Sequence, residues 1–75
     1  MKTYSLALTK IEKEILYRKY RSAGCSSWEA QEKIKTFCEY LHNLVVKLMT
    51  KNKSKGEIEK RFRQEFEEMC QKLEV

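Results

Sequence analysis

The chain has 75 residues, which suffice for a single small domain. A domain of this size buries only about 60% of the surface that its unfolded chain exposes, so it often needs disulfides, a metal or oligomerisation for stability. Its three cysteines cannot all pair and match no Cys-x-x-Cys spacing, which argues against a disulfide scaffold or a cysteine-based metal site. We therefore expect the chain to gain its core by oligomerisation.

The sequence also limits where the protein works. No apolar run approaches the roughly eighteen residues that a membrane span requires. Lys10 and Glu12 directly follow the short apolar patch near the N-terminus, so no signal-peptide core fits there. Free thiols are typical of a reducing compartment. We expect a cytoplasmic protein, in the host cytoplasm if a virus or plasmid encodes it.

The net charge of +5 is unevenly distributed along the chain. Residues 1–55 hold twelve Lys and Arg against five Glu, a net charge of +7, whereas residues 56–75 hold four against six, a net charge of −2. A dimer would present about +14 on one surface, which is enough to attract a polyanion such as nucleic acid. A solvated surface of Lys and Glu explains the charge equally well when it is taken alone.

Residues 3–8 alternate between small or polar and larger apolar side chains. A period of two over a short stretch predicts a half-buried strand, with Leu6 and Leu8 turned inward. No other segment resembles a strand, so this one would have to pair with the same strand of a second molecule. The alternative interpretation is a frayed lead-in to the first helix.

The first helix has clear start and stop signals. Thr9 and Glu12 form a capping box, in which each residue's side chain accepts a hydrogen bond from the other's backbone amide. The helix is predicted to end near Ser22, and Gly24 suits a left-handed stop. Its inward face is predicted to consist of Ile11, Ile15, Leu16 and Tyr20.

Two further helices follow. Ser26 and Glu29 form a second capping box, and the helix behind it is apolar on one face to about Met49. The polar residues 50–56 predict a turn. Within this turn, Ser54 stands three residues before Glu57 and forms a third capping box with it. The last helix carries one apolar stripe, formed by Ile58, Phe62, Phe66, Met69, Cys70 and Leu73.

This order of elements resembles the ribbon-helix-helix (MetJ/Arc) superfamily of DNA-binding proteins. The matching text is YSLALTKIEKEILYRKYRSAGCSSWEAQEKI, residues 4–34, and Thr9 and Gly24 stand fifteen residues apart, room for one helix. The resemblance implies a mainly α fold with one short β-strand per chain and an intertwined homodimer. Residues 1–50 would form the DNA-binding and dimerisation domain. Residues 54–75 would add an amphipathic helix that extends the dimer core.

The implied function is that of a dimeric transcriptional regulator, most simply a repressor, whose two-stranded ribbon enters the DNA major groove. The residues expected to face the bases are Thr3, Ser5 and Ala7. The residues expected to contact phosphates are Lys2, Lys10, Lys13, Ser26, Ser27 and Trp28. The expected dimer core contains Leu6, Leu8, Leu16, Ile34, Phe37 and Leu41. The base-facing side chains are too small for bidentate contacts, so the ribbon would read DNA through methyl contacts, single hydroxyl bonds and water, or through DNA shape, or would bind with low sequence discrimination.

No reactive constellation is visible in the sequence. Cys38 and His42 lie four residues apart on a helix, but no second ligand pair accompanies them, and His42 has no nucleophile or paired acid nearby. We therefore expect no enzyme activity, metal or cofactor. The main alternative to the DNA-binding dimer is an all-helical protein–protein interaction module. A variant of it is an antitoxin-like regulator that binds a protein partner through the C-terminal helix.

Overall fold

The computed structural model describes residues 6–73, and these fold into three α-helices joined by two short turns. Helix α1 comprises Lys10–Ser22, α2 comprises Ser27–Thr50, and α3 comprises Lys55–Leu73. The hydroxyl of Tyr20, near the end of α1, lies 3.5 Å from the sulfur of Met69, near the end of α3. Helices α1 and α3 therefore run in the same direction, with α2 antiparallel to both.

The predicted ribbon-helix-helix fold is wrong. Residues 6–73 contain no β-strand, and helices account for 82% of them. Residues 6–73 therefore hold no strand that could pair with a second molecule, and the resemblance to the ribbon-helix-helix superfamily was wrong. Of the residues assigned to the ribbon's outer surface, Lys2, Thr3 and Ser5 lie outside the described residues.

The alternation that suggested a strand has a different physical origin. Leu8 is 7% exposed and belongs to the core of its own chain, Leu6 is half-buried against that core, and Ala7 is exposed. Alternation indicates only which side chains face an apolar surface, and an irregular lead-in that packs on helices meets the same condition as a paired strand. The lead-in interpretation was therefore the better one, although this lead-in is docked rather than frayed.

The predicted starts of α1 and α2 are confirmed. The Thr9 hydroxyl accepts the Glu12 amide at 3.2 Å, and the Glu12 carboxylate accepts the Thr9 amide at 2.8 Å. Ser26 and Glu29 repeat this arrangement at 3.2 and 3.3 Å. Each capping box satisfies two backbone donors that the first helical turn leaves without an intrahelical partner.

A single core joins all three helices and the lead-in. Its buried members are Leu8, Leu16, Tyr20, Ala30, Ile34, Phe37, Leu41, Val45, Ile58 and Phe62. Five of the six residues assigned to a dimer core are in this set, and the sixth, Leu6, packs against it. One chain is therefore enough to bury them.

The inward face of α1 is narrower than the sequence suggested. Leu16 and Tyr20 are buried, as predicted, but Ile11 is 71% exposed and Ile15 is 40% exposed. Because Leu16 and Tyr20 are four residues apart, they define a stripe along the helix, and Ile11 lies well around the helix from it. The prediction for Ile11 and Ile15 was wrong.

Helix α3 begins where the sequence indicated, and its apolar stripe packs against the core of the same chain. The Ser54 hydroxyl accepts the Glu57 amide at 3.2 Å. Ile58 and Phe62 are buried, and the later members of the stripe pack half-buried against the same core. Most of the apolar surface of α3 is therefore covered by α1 and α2.

Two glycines give opposite predictions for substitution by alanine. Gly24 has a φ of +102°, which confirms the predicted left-handed stop, and an added Cβ would meet no atom within 4 Å. Gly24→Ala should lower the free energy of unfolding by about 1–2 kcal/mol, because the cost is purely conformational. Gly56 is helical and also in open space, so Gly56→Ala should raise it by about 0.5 kcal/mol. Urea denaturation followed by circular dichroism measures both, and a shift of the same sign for both variants would contradict this explanation.

Candidate functional site

A groove of about 660 Å³ runs between the first half of α2 and the second half of α3. Its larger apolar side chains are Tyr20, Phe37, Tyr40 and Met69, and its polar ones are Glu32, Lys33, Thr36, Glu65, Glu68 and Lys72. We call this surface the α2–α3 groove. Helices α2 and α3 form its walls, so its shape depends on how they pack.

Aromatic side chains form the apolar part of the groove. Phe37 and Tyr40 stand three residues apart on one face of α2, and their rings stack with centroids 6.3 Å apart and planes 16° apart. Phe37 is 6% exposed, whereas Tyr40 is 47% exposed. Met69 lies beside them on α3 and brings a flexible thioether of the kind that adapts to different partners. The groove is thus anchored in the core and open at Tyr40.

The phenol of Tyr40 is tied to α3. Its hydroxyl donates to the Glu65 carboxylate at 3.3 Å, and the same carboxylate accepts the Arg61 guanidinium at 3.1 Å. Partial burial raises the pKa of Tyr40 above its ordinary value, and the nearby Glu65 carboxylate raises it further. The phenol therefore stays protonated at neutral pH and acts as a hydrogen-bond donor at the edge of the groove.

Tyr20 of α1 also lines the groove. Burial raises the pKa of Tyr20, with smaller contributions from Cys25 and Cys70. Three Glu and two Lys line the groove, and Glu65 among them is paired with Arg61, so the charges around the groove nearly balance. The groove therefore suits a ligand with an apolar face and charged edges.

Residues 6–73 offer no simpler explanation of function. They contain no group of three His, Cys, Asp or Glu side chains placed to hold a metal ion, and no helix among them is long and apolar enough to cross a membrane. The chain matches no protein-family model, no curated protein and no solved structure. The groove must therefore be interpreted from its own residues.

The structure separates the residues that were assigned to phosphate contacts. Lys10 and Lys13 lie in the first turn of α1, whereas residues 26–28 lie beyond its last turn, about 20 Å away along the helix. The hydroxyl of Ser27 lies 2.8 Å from that of Tyr17, and the Ser26 hydroxyl accepts the Glu29 amide as the N-cap of α2. Trp28 is 70% exposed. These residues do not converge on one site.

The α2–α3 groove was not predicted from the sequence. Tyr40 follows Phe37 by three residues, which places an aromatic ring at the edge of the core stripe of α2, and this was the available signal. Glu65, Glu68 and Lys72 gave no comparable signal, because they lie on the polar side of α3 next to its stripe. Only the packing of the two helices brings them to the same surface.

Proposed function

We propose that the protein is an all-helical interaction module whose α2–α3 groove binds an amphipathic helix of a partner protein. The observation that carries the proposal is the open aromatic surface of the groove, where Tyr40 remains 47% exposed above the buried Phe37. Binding of an amphipathic helix in an apolar groove between helices is a recurrent mode of recognition. Tyrosine is also among the residues that most often dominate binding energy.

The dimensions of the groove favour a helix as the ligand. Its volume of about 660 Å³ accommodates the side chains of one or two helical turns. A helix in the groove would pack against α2 and α3 beside the end of α1, whose Tyr20 also lines the groove. Its apolar residues would recur at intervals of three and four, so that they meet Tyr40, Phe37 and Met69.

The rim of the groove carries charges of both signs. Glu32 and Lys33 lie on its α2 side, and Glu68 and Lys72 lie on its α3 side. A partner helix whose apolar stripe is flanked by both basic and acidic residues would meet an opposite charge on each side. Rim charges of this kind mainly set the association rate and the choice of partner.

A synthetic peptide tests the proposal directly. The probe is an amphipathic helical peptide of about eighteen residues, five turns, with a leucine stripe flanked by lysines and glutamates. We expect it to shift the NMR amide signals of groove residues on both α2 and α3. A matched peptide with serines in place of the leucines should bind about tenfold more weakly or worse, because it has no apolar side chains to pack on Tyr40, Phe37 and Met69.

A pair of variants gives the control. Tyr40→Ala should weaken binding of the leucine peptide at least about tenfold, as expected for an aromatic anchor. Val46→Ala should leave binding unchanged, since Val46 is similarly exposed at 45% but lies about 120° around α2 from Tyr40. Equal effects of the two variants, or signal shifts outside the groove, would contradict the proposal.

A second copy of the chain is the competing occupant. The exposed pair Ile11 and Ile15 on α1 is itself a short apolar stripe that another copy's groove would accommodate. Light scattering across a concentration series distinguishes this case. A dimer that Tyr40→Ala dissociates would make the chain itself the ligand and overturn the proposal of a partner protein.

A further inference from the structure

The positive charge of the chain is concentrated at one end of the bundle. Residues 47–63 hold seven Lys and Arg against two Glu, a net charge of +5, which equals the net charge of the whole chain. Residues 40–56 contain no acidic residue at all. We call the exposed lysines around the α2–α3 turn, Lys47, Lys51, Lys53 and Lys55, the lysine end.

A depression beside the lysine end carries charges of both signs. The starts of α1 and α3 lie side by side there, since Thr9 and Gly56 both line it. Its charged residues are Lys60 and Arg63, and Glu12 and Glu59. The excess of positive charge therefore lies at the lysine end itself and not in this depression.

The helix dipoles favour only some of the four lysines of the lysine end. Lys47 and Lys51 lie at the C-terminus of α2, where a cation stabilises the helix dipole. Lys53 and Lys55 lie at the N-terminus of α3, where the dipole disfavours a cation. The backbone amide of Lys53 donates to the Leu48 carbonyl at the end of α2, a bond that any residue but proline can make, so the fold does not require the lysine charge at this position.

The composition of the turn indicates which polyanion fits. Residues 50–56 contain no apolar or aromatic residue. A segment without apolar side chains has nothing to insert among lipid chains, and one without aromatic side chains has nothing to stack on unpaired bases. Lysines alone match the regularly spaced phosphates of a duplex.

We propose that the lysine end binds the phosphate backbone of double-stranded nucleic acid without reading its sequence. This surface does not depend on the α2–α3 groove, because the groove occupies the other half of α2 and α3. Both surfaces can be occupied together. The chain would then join a helical protein partner to a duplex.

Fluorescence anisotropy with a labelled DNA duplex of mixed sequence tests this inference. If four phosphates are neutralised, affinity should fall about hundredfold between 50 and 200 mM salt. Lys51→Gln combined with Lys53→Gln should weaken binding at low salt by at least about tenfold and reduce the salt slope by about two. The control is Arg21→Gln with Lys35→Gln, which removes the same charge from exposed positions elsewhere on the bundle and should leave the slope unchanged.

Several outcomes would overturn the inference. They are an absence of binding to DNA and RNA duplexes at low salt, equal losses in the two double variants, and tighter binding to single strands than to a duplex. Binding to phosphatidylserine vesicles in place of duplexes would instead assign the lysine end to a membrane surface. Since all four substituted side chains are exposed, unchanged circular dichroism spectra should show that each variant is folded.

Discussion

Leu41→Ala should lower the free energy of unfolding by about 3 kcal/mol. Leu41 lies near the middle of α2 and is 1% exposed, so its truncation removes apolar contacts and leaves a cavity in the only core that unites the described helices. A domain of this length has a total stability of only about 4–11 kcal/mol. Urea denaturation should therefore show a markedly lower midpoint for this variant.

Val46→Ala is the matched control for Leu41→Ala. It also shortens an aliphatic side chain of α2, but Val46 is 45% exposed, so the change should stay within about 0.5 kcal/mol. A cost below about 1 kcal/mol for Leu41→Ala would contradict the burial of this face of α2. A similar cost for both variants would do the same.

Phe62→Ala should destabilise the whole bundle by about 3–4 kcal/mol. Phe62 is 6% exposed and belongs to the same core as Leu16 and Leu41, so α3 is expected to unfold together with α1 and α2. Thermal unfolding followed both by circular dichroism and by NMR signals of α1 should give one common transition. If Phe62→Ala leaves too little folded protein to measure, Phe62→Leu should show the same common transition with a smaller loss in the free energy of unfolding.

The neighbouring Gln64 gives the control for α3. Gln64→Ala changes an exposed side chain and should shift the free energy of unfolding by no more than about 0.5 kcal/mol. If Phe62→Ala melts α3 while α1 and α2 keep their stability, then α3 is a separately docked helix. The shared core would then contribute little to cooperativity.

Local chemistry was predictable from the sequence. The caps at Thr9 and Ser26 and the left-handed Gly24 each depend on residues within a few positions of one another, and the structure shows all three. These same features carried the resemblance to a ribbon-helix-helix protein. Any two helices joined by a short turn need a cap, a stop and a second cap, so the features indicate a helical hairpin and do not distinguish one family from another.

Tertiary arrangement was not predictable in the same way. The alternation that ends at Leu8 reflects burial against helices of the same chain, and a single sequence does not distinguish this from burial in a paired sheet. The α2–α3 groove depends on which residues of two helices come to face each other. Tyr40 and Glu65 are 25 residues apart, and only packing brings their side chains to 3.3 Å.

The two turns between helices have a consequence for how fast the chain folds. Each turn contains only four residues, so α1 with α2 and α2 with α3 pack as neighbours in sequence, and the contacts of α1 with α3 join the elements that are farthest apart along the chain. Chains with such low contact order fold within microseconds to milliseconds. A newly made chain therefore exposes its apolar stripes only briefly, which limits the time in which they can associate with other unfolded chains.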